Sequence, residues 1–561
     1  MVGLLLLCVA WLMPLHFMPW VSWHSEAPVF VSVCLLSLFG LAVGVWREPG
    51  HSPQLNLPAS MLLWPILCAL VALQWWTGQI AFGGDAWVLG LYGLLCAMAW
   101  GLGYGACTVG PHAATRRQQA LEMVAWTLLV GASASSVIAL VQVTDVWDNA
   151  SWVSRMPQLR RPGGNLNQPN QLATLLIMGL ASWVLLQEGK RLRGLVAGLL
   201  FAVLAVGIAA TESRTGLLSL VALALWCVAG AWRMHLRLRP WAVGVGLLIF
   251  VVLFFAWPVL MSQAGSFGAD AQLNTQAGTR LVVWPQLMQA IAMKPWAGWG
   301  LREVSVAHHA VVDRYAVSEP FTYAHNLGLE LAIGVGLPIT ILFFAAAGFW
   351  LWRRLVRCQD VGAWYCVAAV LPVAVHSMLE FPFAYAYFLA PVMFLLGALE
   401  SSTGTRAVFS VSARKMLVLV VATSGVLMVS AVEYLKIEED FRVVRFEALR
   451  MGKTPADHER ANVRLLTQLD ALLVAGRIEP QPGMAADTLA LARKAALRFP
   501  WTATQNRYAL SLALNGQPDE AIRQLRVIRA LHGEKTYAQL RLAWQELARD
   551  THPSLQALEW P

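Results

Sequence analysis

The sequence predicts an all-α polytopic membrane protein that ends in a helical, water-facing module. Three observations predict it. Hydrophobic residues make up 58% of the 561 and charged residues only 13%, against roughly 25% charged in soluble domains. Apolar runs recur along the chain, each of a length that crosses about 30 Å of hydrocarbon as helix. From about Leu435 such runs stop and charge returns: residues 435–561 hold eighteen Lys/Arg and fifteen Asp/Glu.

The apolar runs number about thirteen. The first, at about 2–15, is short and has no basic stretch ahead of it, so it reads as a retained anchor and not as a cleavable leader. Runs at 29–46, 60–76, 87–109 and 118–141 follow, then 170–187, 194–211, 216–232 and 240–260. After a long polar interval come 326–350, 361–380, 383–399 and 415–434. This divides the chain into membrane helices over 1–260, a large loop over 261–325, further membrane helices over 326–434 and a helical module over 435–561.

Orientation follows from Lys and Arg, because cytoplasmic loops carry the excess. With the N-terminus inside, the inner connections hold fifteen of these residues, among them Arg116, Arg117, Arg233, Arg353 and Arg414, and the outer loops hold eight. The long loop is then outside, and an odd number of spans exports the C-terminal module as well. All eight cysteines fall within spans or on the inner side, so no external disulfide framework is expected. The net charge of +9 is explained by inner-face arginines meeting anionic lipid. No basic stripe interleaved with aromatics points to nucleic acid.

The loop from Met261 to His325 spans about 65 residues. Loops longer than roughly 12–15 residues are functional or disordered, and Trp284, Trp296, Trp299 and Tyr315 argue against disorder. In the C-terminal module, residues 499–532 resemble a tetratricopeptide helix hairpin. Asn515-Gly516 ends one helix, and Pro518-Asp519-Glu520 places acid at the positive start of the next. Degenerate helices are expected at 455–475 and 484–498. Such a module binds a polypeptide or packs on its own membrane part, and the sequence leaves both open.

Candidate chemistry gathers at the outer face. Arg214, in Thr211-Glu212-Ser213-Arg214-Thr215-Gly216, reads either as an interfacial snorkelling residue or as an anion ligand. Arg280 has the same dual reading, and two guanidinium forks suit a diphosphate. His325 has a reference pKa near 6.5 and is mostly unprotonated at neutral pH, so it is able to accept a proton. Beside it Asn326 has two readings, helix cap or sugar ligand, and Glu330 is a candidate for orienting the imidazole. His308-His309, with Glu303 and Asp313, make a poor metal site, since adjacent histidines point apart and HExxH spacing is absent. Between Arg160 and Gln171 runs Arg-Arg-Pro-Gly-Gly-Asn-Leu-Asn-Gln-Pro-Asn-Gln, richer in guanidinium and carboxamide groups than a turn needs.

Taken together, Gly163-Gly164-Asn165-Leu166-Asn167-Gln168-Pro169-Asn170-Gln171-Leu172-Ala173, Ser213-Arg214-Thr215-Gly216, Arg280, Tyr323-Ala324-His325-Asn326 and Glu380-Phe381-Pro382 resemble the O-antigen ligase and polymerase (Wzy-C) superfamily. Within it they are most similar to the pilin-type O-linked oligosaccharyltransferases of the PglL kind. The resemblance covers nearly the whole chain. It implies a GT-C-like membrane glycosyltransferase that moves a preassembled glycan from undecaprenyl diphosphate to a Ser or Thr hydroxyl of an acceptor protein such as pilin. The reaction takes place on the periplasmic face of a bacterial inner membrane, with no cofactor and no metal. The implied roles are His325 as the base, Arg214 and Arg280 on the diphosphate, and Arg161, Asn167, Gln168, Asn170, Gln171, Tyr323, Asn326 and Glu330 along the donor and acceptor groove. Direct displacement would invert the anomeric centre.

The same core motifs also serve transfer to lipid A–core by an O-antigen ligase, or chain growth by a polymerase. Two non-enzymatic readings stand beside these. A glycan-lipid transporter predicts charges deep in its spans and paired broken helices, yet the runs here are nearly free of mid-membrane charge and show no repeat. A scaffold predicts that substituting His325 leaves transfer unchanged.

Overall fold

A computed structural model describes residues 2–13, 23–47, 54–108, 113–144, 152–155, 161–263, 278, 280–404, 407–449, 451–454 and 458–561. Among these residues, eight helices are long and apolar enough to cross a membrane: Ala59–Trp76, Gly83–Ala106, Ala113–Thr144, Pro169–Glu188, Arg214–Arg233, Pro240–Ser262, Leu327–Arg357 and Ala413–Ala448. Five shorter apolar helices are Gly3–Leu12, Glu26–Ala42, Gly194–Ala210, Val361–Ser377 and Ala386–Ser402. Each expected run thus falls on an apolar helix, and the protein is a multi-pass, helical membrane protein. One departure from all-α is a two-stranded antiparallel ribbon, Gln54–Leu57 with Phe409–Ser412, in which Gln54 faces Ser412 and Leu57 faces Phe409. Its strands alternate polar and apolar residues with period 2 but are four residues each, too short to register as strands by pattern alone.

The chain packs as two compact units of three segments each. The first contains Met1–Pro65, Tyr92–Thr275 and Ala347–Gly425; the second contains Ile66–Leu91, Gln276–Ala346 and Val426–Pro561. This division cuts across the four consecutive segments that composition suggests.

In the first unit, helix Pro169–Glu188 is the centre and is almost wholly buried, packed by Ala113–Thr144, Gly194–Ala210, Arg214–Arg233 and Val361–Ser377. Local chemistry sets its start: Pro169 occupies the first helical position, and the Gln168 side chain accepts the Gln171 N–H at 2.7 Å. Helix Arg214–Arg233 begins in the same way, with Ser213 Oγ accepting Gly216 N–H at 2.9 Å.

In the second unit the long loop is folded from Arg280 onward. Helices Arg280–Met293 and Val304–His309 bury Val283, Leu287, Val304, Ala307 and Val311 against Phe321, Ala324 and Ile333. The same loop also breaks helix Leu327–Arg357, which the sequence presents as one uninterrupted run. Gly336 is left-handed (φ 80°), and a Cβ there would lie 2.3 Å from the Trp296 carbonyl. Pro338 cannot donate to Gly334, whose carbonyl instead accepts from Gln74 Nε2 at 2.8 Å. Trp299 N–H donates to Ile333 O at 2.7 Å and Leu337 N–H to Pro295 O at 2.8 Å. Every backbone group named at the break therefore has a protein partner, the condition for irregular backbone at membrane depth.

The C-terminal module consists of helices Thr467–Arg477, Ala486–Arg498, Thr502–Leu514 and Pro518–Asp550, the last interrupted at Gly533. Helix Ala413–Ala448 runs past residue 435, where the composition changes, because its polar end is built from good helix formers. The helix expected over 455–475 begins only at Thr467. The Glu433 carboxylate takes the N–H groups of Arg464, Leu465 and Leu466, each at 2.8 Å, in a bend just ahead of that helix; residues 455–457 lie outside the described residues. Within this unit the module packs on the long loop of its own chain. Val527, Ala530 and Leu531 bury Val312, Ser318 N–H donates to Ala530 O at 2.8 Å, and Arg523 pairs with Asp313 at 3.1 Å.

Candidate active site

In the first unit the carboxamide motif forms a hydrogen-bonded belt around one carboxylate. Glu380, 6% exposed, accepts from Asn170 Nδ2 at 2.7 Å and from Gln168 Nε2 at 2.8 Å. The His376 ring lies between Glu380 Oε2 (3.3 Å) and Thr174 Oγ1 (2.8 Å) and is fully buried. Asn170 Oδ1 accepts from Ser213 Oγ at 2.6 Å and from Arg161 Nη2 at 3.4 Å, while Arg161 Nε donates to Thr211 O at 3.0 Å. Gln171 turns into the core, where its Oε1 accepts from the buried Tyr387 hydroxyl at 2.5 Å. Asn167 serves the backbone, sitting left-handed (φ 56°) at the end of the turn Gly164–Leu166. Arg160 lies outside the described residues.

Arg214 is exposed and is the first residue of helix Arg214–Arg233. Arg280, in the second unit, is likewise the first residue of helix Arg280–Met293. The positive end of a helix favours an anion, so each guanidinium stands where a negatively charged group is well placed.

The His325 turn belongs to the second unit. His325 is half-buried and left-handed (φ 54°), with its ring 4.5 Å from that of the buried Phe321. Such a backbone is uncommon for a non-glycine residue and marks a position held by its surroundings. Two of the surrounding groups were picked out by the sequence. Asn326 is a helix cap, its Oδ1 accepting from Leu329 N–H at 3.1 Å. Glu330 Oε2 accepts from Ala324 N–H at 2.7 Å and so fastens the turn that carries the imidazole. Arg302, itself left-handed (φ 70°), donates to the Tyr323 hydroxyl and lies over its ring at 5.0 Å.

Beneath the turn lies a charged network. Asp85 (1% exposed) and Arg498 (6%) form a bidentate pair at 2.8 and 2.7 Å, with Arg302 Nε 3.9 Å from Asp85. Glu303 Oε1 accepts from Ala81 N–H at 2.8 Å. Burial pushes the Glu303 carboxyl up to about 7; the Ala81 hydrogen bond opposes this and the Asp85 charge adds to it. His308 contacts Gln286 Oε1 (2.8 Å) and Ser318 Oγ (3.1 Å), whereas His309 contacts Gln524 Oε1 (2.8 Å). Burial pushes both imidazoles down to about 4, and His309 lowers His308 further. The adjacent histidines thus serve different partners.

Sequence reasoning missed His376, Thr174, Ser213 and Tyr387 as members of the belt, and Asp85, Arg302 and Arg498 as supports of the loop. His376 and Glu380 are four apart, with Glu380 just past the end of helix Val361–Ser377, and that spacing is a signal the sequence offered.

Comparison with known proteins bears on these same segments. Residues 162–186 match the protein glycosylation ligase family, residues 199–344 the O-antigen ligase family, and residues 364–547 the C-terminal region of virulence factor membrane-bound polymerases. The first contains the carboxamide motif, the second Arg214, Arg280 and His325, and the third His376, Glu380 and most of the helical module; Arg161 falls one residue outside the first. A general O-oligosaccharyltransferase of Acinetobacter baylyi (strain ATCC 33305 / BD413 / ADP1) is 25% identical over 543 residues, 94% of this chain and 91% of the relative. A ComP-specific O-oligosaccharyltransferase of the same organism is 26% identical over 395 residues, 68% of this chain and 69% of the relative. The O-antigen ligase match covers 199–344, while the similarity to an O-oligosaccharyltransferase extends along most of the chain.

Proposed function

We propose that this chain is an O-linked oligosaccharyltransferase that transfers a preassembled glycan en bloc from undecaprenyl diphosphate to a Ser or Thr hydroxyl of a periplasmic acceptor protein such as pilin. The observation that carries the reading is the relationship to a general O-oligosaccharyltransferase over 94% of the chain, helical module included. In this reading the chain crosses the bacterial inner membrane about thirteen times, with the His325 loop and a tetratricopeptide-like module over 435–561 in the periplasm.

The chemistry asks for a base at the acceptor and positive charge at the donor. The acceptor oxygen attacks the anomeric carbon, the bond from that carbon to the diphosphate oxygen breaks, and the diphosphate leaves with the electron pair. His325 takes the hydroxyl proton. Arg214 and Arg280, each at a helix start, are assigned to the diphosphate, whose negative charge grows as the bond breaks. Their guanidinium groups carry the countercharge, so the reading needs no metal, and single displacement inverts the anomeric centre. Arg161, Gln168 and Asn170 shape the donor side; Tyr323 and Asn326 belong to the acceptor side.

A second reading, transfer to lipid A–core or chain growth, is favoured by the O-antigen ligase and polymerase matches over 199–344 and 364–547. One experiment separates the two. Purified protein in detergent is given an undecaprenyl-diphosphate oligosaccharide with pilin or with lipid A–core, in EDTA, as wild type and as His325→Ala. The expected outcome is glycosylated pilin of inverted anomeric configuration, reduced about 10²–10⁴-fold by the substitution, the span typical of a lost general base. Modified lipid A–core beside untouched pilin would select the ligase. Product from neither, with a donor shown competent by a known transferase, would return the transporter and scaffold readings.

A further inference from the structure

The belt in the first unit has an asymmetry that its amides alone do not explain. A carboxamide presents a donor on one side and an acceptor on the other, and either orientation fits the same volume. What fixes Asn170 is Glu380, because a carboxylate only accepts. With Nδ2 committed to Glu380 at 2.7 Å, Oδ1 must face Ser213 Oγ (2.6 Å) and Arg161 (3.4 Å). Ser213 donates its one proton to that oxygen, which leaves its lone pairs for the Gly216 N–H at 2.9 Å, the cap that starts the helix at Arg214. The second oxygen of Glu380 does the same for Gln168. With Nε2 held at 2.8 Å, Gln168 Oε1 faces the Gln171 N–H at 2.7 Å and caps helix Pro169–Glu188. One buried carboxylate is therefore tied, directly or through Asn170, to the Gln168 and Ser213 caps of two helices, the second of which starts at Arg214, and to Arg161.

We propose that Glu380 is the positioning residue of the donor site: through Asn170 and Ser213 it sets the helix start that presents Arg214, and through Asn170 it sets Arg161, so that both guanidinium groups meet the diphosphate of the lipid-linked glycan. This rests on the oligosaccharyltransferase reading, and it separates the two substrates: Glu380 governs the donor and leaves the acceptor alone.

The decisive variant is Glu380→Gln, which keeps the volume but turns a donor toward one of the two amides. Charge-assisted hydrogen bonds contribute enough that their loss predicts a donor KM raised about tenfold or more. Turnover at saturating donor falls with it, because these guanidinium groups meet charge that grows as the bond breaks, while the KM for pilin stays within about twofold. Combining Glu380→Gln with Asn170→Asp restores the polarity the other way round. The introduced amide then donates to the introduced carboxylate, which still accepts from Ser213 and Arg161. The donor KM is expected to return to near the wild-type value. Retention of radiolabelled undecaprenyl-diphosphate oligosaccharide by immobilised protein reads the same ratio without turnover. Equal donor retention by wild type and Glu380→Gln would overturn the proposal, and so would a parallel rise in both KM values with lowered thermal stability that the double variant does not reverse. Wild type that retains donor but glycosylates nothing would instead count against the oligosaccharyltransferase reading.

Discussion

The belt around Glu380 in the first unit buries neutral amides against a carboxylate, whereas the network under the His325 turn in the second buries full charges against one another. Glu380 is met by two carboxamides and an imidazole from within about two hundred residues of chain. Asp85 is met by Arg498 across 413 positions of sequence. The contrast teaches where each unit is fragile. Amides hold orientation at modest cost, and changing one redirects its neighbours. A desolvated ion pair is a clamp whose halves depend on each other, because removing one leaves a bare charge in a low-dielectric interior.

The largest effect should come from breaking the clamp. Asp85→Ala or Arg498→Ala is expected to destabilise the second unit by about 3–5 kcal/mol, read by thermal unfolding in detergent, and the double substitution should cost less than the sum of the singles. A loss no larger than that of an exposed pair would erase the contrast between the units.

Acidity should weaken the second unit next, and selectively. His308 and His309 protonate near 6.5 when unfolded but only near 4 when folded. Between these values the unfolded chain binds more protons, so their contribution is present above about pH 6.5 and is lost as pH falls toward 4. Glu303, raised from 4.5 to about 7, runs the other way: its contribution is present below 4.5 and lost as pH rises through 7. Thermal unfolding scanned from pH 7 to pH 4 should fall, and in His308→Gln/His309→Gln the fall should vanish or reverse. An unchanged profile in that variant would remove the histidines from the account.

Smaller effects sharpen the comparison further. Gly336→Ala forces a left-handed backbone on a residue with a Cβ and drives it into the Trp296 carbonyl; roughly 1–3 kcal/mol is expected from the backbone alone, measured as a lowered melting temperature. Ser213→Ala in the first unit removes one helix cap and should cost about 1 kcal/mol, while raising the donor KM more than this small loss of stability would suggest.

The difference between the units also explains what the sequence disclosed. Membrane helices were legible because apolar composition over about twenty residues is set by the solvent alone. Arg161, Gln168 and Asn170 were legible because their belt draws on one short, chemically dense stretch. Asp85, Arg302 and Arg498 were not: each is an ordinary charge at an ordinary helix end or turn, and only the fold brings them together. Asn326 and Glu330 were legible as polar neighbours of His325 but not as a cap and a backbone fastener, since two residue types that bind sugars also bind N–H groups. The Gly336 break was hidden for a related reason: glycine within an apolar run is common in membrane helices, and nothing nearby in sequence marks the loop segment that fills the gap.

That break also orders events in time. The groups that satisfy it come from Gln74, Pro295 and Trp299, and all three precede Ile333 in the chain. Synthesis runs from the N-terminus, so the ribosome has finished every partner before the interrupted helix emerges. The replacement partners therefore already exist when the interrupted helix emerges, and no later segment, including the helical module that follows, has to be made before its break can be satisfied.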